Sequence, residues 1–290
     1  MRRQVRIKDS TKSNLCFKQT WKYFFDKGAY LMLMSVAPAL LLPFLISPSA
    51  NLYYLFDFDK INPQNFADMY VSMRELPFSY WYLGLIGLAL LVFFVAIMYG
   101  VIDTHMRIGV FTIAPSRVKT RLNFNLLTSL TFCTLTLVFF ELFNVLGTAL
   151  YYLWWVTFKS RVTWLVFSSL TLVVMQILMI HVMSVMILWP PFCLHTGLPK
   201  KAALRQAVRS ISGRVGKNFF TIFVVLLPVE ICMIVTGALN CGVIAEFLLD
   251  AIAYLYVVPF YITLMYNIFY EVTGTERMDL EMKEKDIWSK

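Results

Sequence analysis

Five ionisable side chains fall within or at the edge of long apolar stretches of this 290-residue chain: Glu141, His181, Glu230, Glu246 and Asp250. A charged group at the centre of a bilayer costs about 3 kcal/mol on insertion scales, so each needs a partner, a proton or a cavity. Glu141 and Glu230 occupy the middles of two blocks expected to run in the same direction, and Gln176 and His181 lie in a block between them. Two readings follow. These residues form a site whose carboxyls carry protons or a cation at an internal cavity, or they form a hydrogen-bonded lock between helices. With no further motif in support, the lock is the simpler reading.

Signatures of catalysis are missing. The chain holds no G-x-x-x-x-G-K-[ST], no H-E-x-x-H, no G-x-S-x-G and no G-x-G-x-x-G. Gly213-Arg-Val-Gly216-Lys217 lacks both the glycine spacing of a phosphate loop and a hydroxyl after its lysine. Asp103-Thr-His105 and Cys193-Leu-His195 contain ligand-type residues, but too few for a metal. The five cysteines show no C-x-x-C spacing, which gives neither a zinc site nor a disulfide framework. No catalytic residue, metal or cofactor is assigned, and the sequence leans away from an enzyme.

The elements that must position these residues are membrane spans. The chain is 59% hydrophobic, far beyond a soluble domain, and its apolar residues come in long blocks. The pattern predicts an all-α integral membrane domain over 29–270, with six transmembrane helices at 29–46, 79–102, 125–150, 163–189, 219–239 and 243–270. Pro190 and Pro191 are expected to end the fourth. A basic amphipathic arm, 1–28, precedes the spans; its polar length argues against a cleaved leader. A charged tail, 271–290, follows. The loop Ser47 to Pro77 is long enough to form a lid over the bundle.

Orientation follows from charge. Of 26 lysines and arginines, all but Lys60, Arg74, Lys159 and Arg161 fall on one side, and Trp81, Trp154, Trp155 and Trp164 border the other. The positive-inside rule then places both termini in the cytoplasm, with a multi-pass chain in the cytoplasmic membrane, such as a bacterial inner membrane. The net charge of +9 invites nucleic acid as a partner, but the basic residues border apolar blocks, so anionic inner-leaflet lipid is expected and nucleic acid is not.

One stretch organises the rest. In Leu198 to Glu230 a basic segment runs straight into an apolar one, with Leu204, Val208, Ile211, Val215 and Phe219 on one helical stripe. An interfacial helix is expected over 199–217, lying in the headgroup layer or packed on the bundle, with Lys201, Arg205 and Arg209 against lipid or a partner. Lys18 and Lys22 take the same role beside Phe17, Trp21 and Phe24 in the N-terminal arm. Phe17-Lys-Gln-Thr-Trp-Lys22 matches Leu204-Arg-Gln-Ala-Val-Arg209 in type, and Leu-Leu-Pro recurs at Pro43 and Pro228, which suggests an internal repeat with a weak third copy at Pro115 to Arg121. Loops 103–124 and 190–218 are the expected surface for any protein partner.

Ala203-Leu-Arg-Gln-Ala-Val-Arg-Ser-Ile-Ser-Gly-Arg-Val-Gly-Lys-Asn-Phe-Phe220 is a basic helix, a glycine and a Phe-led span. It resembles the six-span bacterial membrane proteins related to the membrane domain that accompanies some glycerophosphodiester phosphodiesterases. The resemblance covers 195–240 and the overall topology. It implies the six-span fold but, without a phosphodiesterase catalytic domain in the chain, no hydrolytic activity and no site residues. The layout also resembles the membrane half of export permeases, which implies a separate ATPase. The expected function is non-enzymatic: membrane organisation, lipid handling or complex assembly. A permease subunit is the alternative, and an intramembrane enzyme using Glu141 or Glu230 comes third.

Overall fold

The computed structural model describes residues 13–56, 63–112, 121–239 and 241–280. Among them the chain forms ten α-helices and no strand: α1 Ser13–Leu41, α2 Ala50–Phe56, α3 Phe66–Ser72, α4 Glu75–Ile108, α5 Leu122–Thr157, α6 Arg161–Met186, α7 Trp189–Thr196, α8 Lys200–Ile211, α9 Val215–Ala238 and α10 Val243–Thr273. Six of these, α1, α4, α5, α6, α9 and α10, are long and apolar enough to cross a membrane.

The six spans close into a ring. Each packs on the next in the order α1, α4, α5, α6, α9, α10 and back to α1, while α4 also reaches across to α10. The short helices shut the two ends. At one end α2 wedges between α6 and α9, and α3 rests on α5 and α4. Here Asn65 starts α3 by accepting a hydrogen bond from the Asp68 amide at 2.9 Å. The turn entering this cap lies directly on α4, because Gly84 and Gly87 leave no side chain in the way. A Cβ on Gly84 would stand 2.5 Å from the Leu45 amide nitrogen, and one on Gly87 2.8 Å from the Leu41 carbonyl carbon. At the other end, rich in Lys and Arg and here called the basic face, α7 is buried from Trp189 to Leu194 and plugs the ring.

Several boundaries differ from the sequence expectation, each for a packing reason. The first span is helical from Ser13 rather than residue 29, and the arm's aromatic face turns inward instead of toward the headgroup layer. Trp21 and Phe24 pack on Phe260 of α10, with ring centroids 4.8 and 5.4 Å apart. Pro190 and Pro191 open α7 instead of closing the fourth span, in first-turn positions where no amide donor is needed. The predicted 199–217 helix ends at Ile211. Its buried stripe is Ala203, Ala207 and Ile211, so small residues let it lie close on the bundle while Leu204 and Val208 stay exposed.

The two copies of the repeat fold into different elements. Phe17 to Lys22 is continuous with α1, whereas Leu204 to Arg209 belongs to the separate helix α8. Pro43 sits in the turn after α1, but Pro228 lies inside α9. The third copy falls largely outside the described residues, as do positions 1–12 of the arm and 281–290 of the tail. The start of that tail is folded: left-handed Gly274 (φ 63°) ends α10 and turns the chain back. Arg277 then pairs with Asp279 at 2.7 Å and donates to Asn267 and to Gln19 of α1.

Candidate functional site

Within the ring lies a partly open cavity of about 380 Å³, within the range of ligand pockets. Five spans line it; α1 stays outside, and only the turn after it contributes. The lining follows helical periodicity: α6 presents Leu172, Met175, Gln176, Met179 and Met183, and α9 presents Ile222, Leu226, Glu230 and Met233. The walls are almost entirely aliphatic, aromatic and methionine, with α5 adding Phe132, Phe140 and Gly147.

Its few polar groups are placed singly. Gln176 Nε2 donates to Glu230 Oε1 across α6 and α9, and the pair faces the cavity. Near the cap, Asn51 donates to Asn144 at 3.0 Å. The buried hydroxyls of Tyr99 and Thr136 line the cavity with no hydrogen-bond partner among the described residues. Such groups cost stability unless something answers them. His181 does not join the site. It is exposed on the outer surface of α6, roughly five residues round the helix from Gln176 and so off the inward stripe.

Glu141 is separate from Glu230. It accepts from both Arg74, whose guanidinium reaches both carboxylate oxygens, and the Tyr70 hydroxyl at 2.6 Å. Arg74 also donates to the Leu45 carbonyl at 3.3 Å and lies over the Tyr70 ring. These partners come from α3 and the residues just after it, so the cap is pinned to the mid-bundle by charge. Sequence reasoning missed Arg74; its only signal was that it is one of four cations on the cation-poor side. Burial works against the Arg74 charge, yet hydrogen bonds and attraction from Glu141 outweigh it and hold its pKa above the ordinary value. Burial and the bond to Glu141 raise the Tyr70 hydroxyl, and burial pushes Tyr54 up to about 12.

Asp250 is a clasp for the cap. It is fully buried and accepts from the Ser47 hydroxyl and from the Ser49 amide at 3.2 Å, fixing the 45–50 turn to α10. Glu246, one turn away, does not line the cavity. At the basic face the two weak ligand-type pairs are re-sorted: His195 Nδ1 lies 3.1 Å from Asp103, which also accepts from Tyr270 at 3.3 Å, while His105 meets Tyr23 at 3.0 Å. No group of three metal-ligand side chains exists among the described residues. Lys18, Lys22, Lys201, Arg205 and Arg209 are all exposed on this face.

No protein-family model, no curated protein and no solved structure matches the chain. The arrangement itself is suited to holding an apolar molecule by shape and burial, with one carboxyl–amide pair to orient it.

Proposed function

We propose that this protein is a non-enzymatic, multi-pass membrane protein that handles lipid, holding a bilayer-derived apolar ligand in its central cavity. One observation carries the reading: an apolar cavity of about 380 Å³ among five spans, with the Gln176–Glu230 pair as a polar contact in its wall. The charge asymmetry supports an orientation in a cytoplasmic membrane with both termini inside, where Lys18, Lys22, Lys201, Arg205 and Arg209 meet anionic headgroups. A reporter fused after Lys290 should read as cytoplasmic.

The test is native mass spectrometry of protein extracted in mild detergent. Wild type should retain a lipid that survives delipidating washes. Gly147→Leu should not, because a Cβ at Gly147 meets only Met175, at 3.9 Å, and a longer side chain extends into the chamber. Equal lipid retention by both, or none by wild type, would remove the proposal.

A further inference from the structure

The central cavity is elongated. Its lining on α5 runs from Phe132 to Tyr151, about 28 Å of helix at 1.5 Å per residue, close to the roughly 30 Å thickness of a bilayer's hydrocarbon core. Such a stripe suits a chain-like molecule. Its charge is as selective as its length. Among the described lining residues there is no lysine, arginine or histidine, and the one carboxyl, Glu230, is bonded to a neutral amide. An anionic head drawn into this volume would give up its water and meet no cation, so charged heads are disfavoured.

The independent sign of a ligand is Tyr99. It is fully buried, and its hydroxyl has no hydrogen-bond partner among the described residues. It is also the last of the α4 lining residues, Leu88, Leu91, Val95 and Tyr99, before that helix ends at the basic face. Helical side chains lean toward the N-terminus of their own helix, and that of α4 is at the cap, so the Tyr99 ring leans back along the cavity. Tyr261, also in the wall, gives the contrast: its hydroxyl is answered by the Met183 carbonyl at 2.8 Å. Thr136 carries the wall's other unanswered hydroxyl. Ser129 bonds the Val92 carbonyl and sets the register of α4 against α5, which leaves Thr136 and Tyr99 about 20 Å apart along the bundle, beyond the reach of one head group.

We infer, resting on the lipid-holding role proposed above, that the cavity takes an uncharged lipid whose head carries a carbonyl oxygen. The carbonyl accepts from the Tyr99 hydroxyl, and the chain lies along the α5 stripe toward the cap. A phenol donates readily, and a carbonyl is an acceptor that an apolar interior admits without a charge. A phospholipid would insert only its chains and leave Tyr99 unanswered; a plain hydrocarbon would leave it unanswered too. Two kinds of bilayer molecule share the required chemistry, an acylglycerol with ester carbonyls and an isoprenoid quinone with ring carbonyls.

The experiment is a native mass spectrometry titration of the full chain with a diacylglycerol, with the dialkylglycerol ether of the same chain lengths, with phosphatidylglycerol of the same acyl chains, and with an isoprenoid quinone. The ether keeps the hydroxyl and lacks the carbonyls. The diacylglycerol or the quinone should bind about tenfold more tightly than both the ether and phosphatidylglycerol, and the tighter of the two names the source. Tyr99→Phe, which removes only an unanswered hydroxyl and so should keep the fold, should lower that carbonyl lipid to the level of the ether. Equal affinity of wild type for carbonyl lipids and ether, a preference for phosphatidylglycerol, or insensitivity to Tyr99→Phe would each overturn the assignment. Gly147→Leu keeps the two proposals separable. If wild type binds the probes without the carbonyl preference and Gly147→Leu loses them all, the cavity still holds lipid and only the head assignment falls; if wild type binds no probe, both fall.

Discussion

Glu141 and Glu230 are the same residue type, in the middles of apolar helices that run in the same direction, yet their surroundings have little in common. Glu141 is answered by a full charge from Arg74 and a short bond from Tyr70, and it does not line the cavity. Glu230 has an amide, Gln176, and faces open volume. The difference separates two uses of a carboxyl in a membrane. An ion pair satisfied on all sides fixes one arrangement of the backbone, here the seating of the cap. A carboxyl with a neutral partner and room beside it keeps capacity for something else.

Breaking the pair at Glu141 should have the largest effect. Arg74→Ala strands a carboxylate and should cost about 2–4 kcal/mol in detergent unfolding, somewhat below a fully buried pair because the Glu141 side chain is 38% accessible. Adding Glu141→Gln to that variant should recover more than half of the loss; no recovery would mean that Arg74 acts through Leu45 or Tyr70 instead. Next is Glu141→Gln alone, which leaves Arg74 facing an amide and should cost about 1–3 kcal/mol. Glu230→Gln should move stability by less than about 1 kcal/mol, since an amide–amide bond to Gln176 survives, while lipid retention changes. Equal destabilisation by the two glutamines would erase the contrast and make Glu230 a lock as well.

Alkaline titration sharpens the same contrast from the cap side. Tyr54 is held near 12 against an ordinary value of about 10, so the unfolded chain loses its proton first. The stability this tyrosine contributes is complete below about pH 10 and is lost as pH rises towards 12. Tyrosinate absorbance and unfolding followed across that window should show the cap end loosening while the Gln176–Glu230 end keeps its protection from hydrogen exchange. The smallest effect is expected at Gly147, on the cavity wall beyond both carboxyls. Gly147→Ala adds a methyl into ordinary contact with Met175 and should stabilise by about 0.5–1 kcal/mol.

The spans were legible because six blocks of the required length announce themselves, and Gln176 and Glu230 because they are polar residues in apolar blocks, although which of the candidates would pair was left open. Glu141 was visible but its partner was not, since Arg74 reaches it from a loop whose path depends on tertiary packing. The α8 stripe was legible only in part: its bundle-facing side, Ala203, Ala207 and Ile211, is set by small residues that allow close approach, while Leu204 and Val208 beside them stay exposed. His181 lies in the right helix on the wrong side of it.

The glycines of α4 have one further consequence. With the Leu41 to Leu45 turn pressed onto Gly84 and Gly87, the α1–α4 side of the ring is a fixed jamb, whereas α2 is wedged between α6 and α9, with Phe56 against Gly237 and Asn51 bonded to Asn144 of α5. Gln176 and Glu230 join α6 and α9 below that wedge, so the seating of the cap and the polar spot of the cavity wall share one seam.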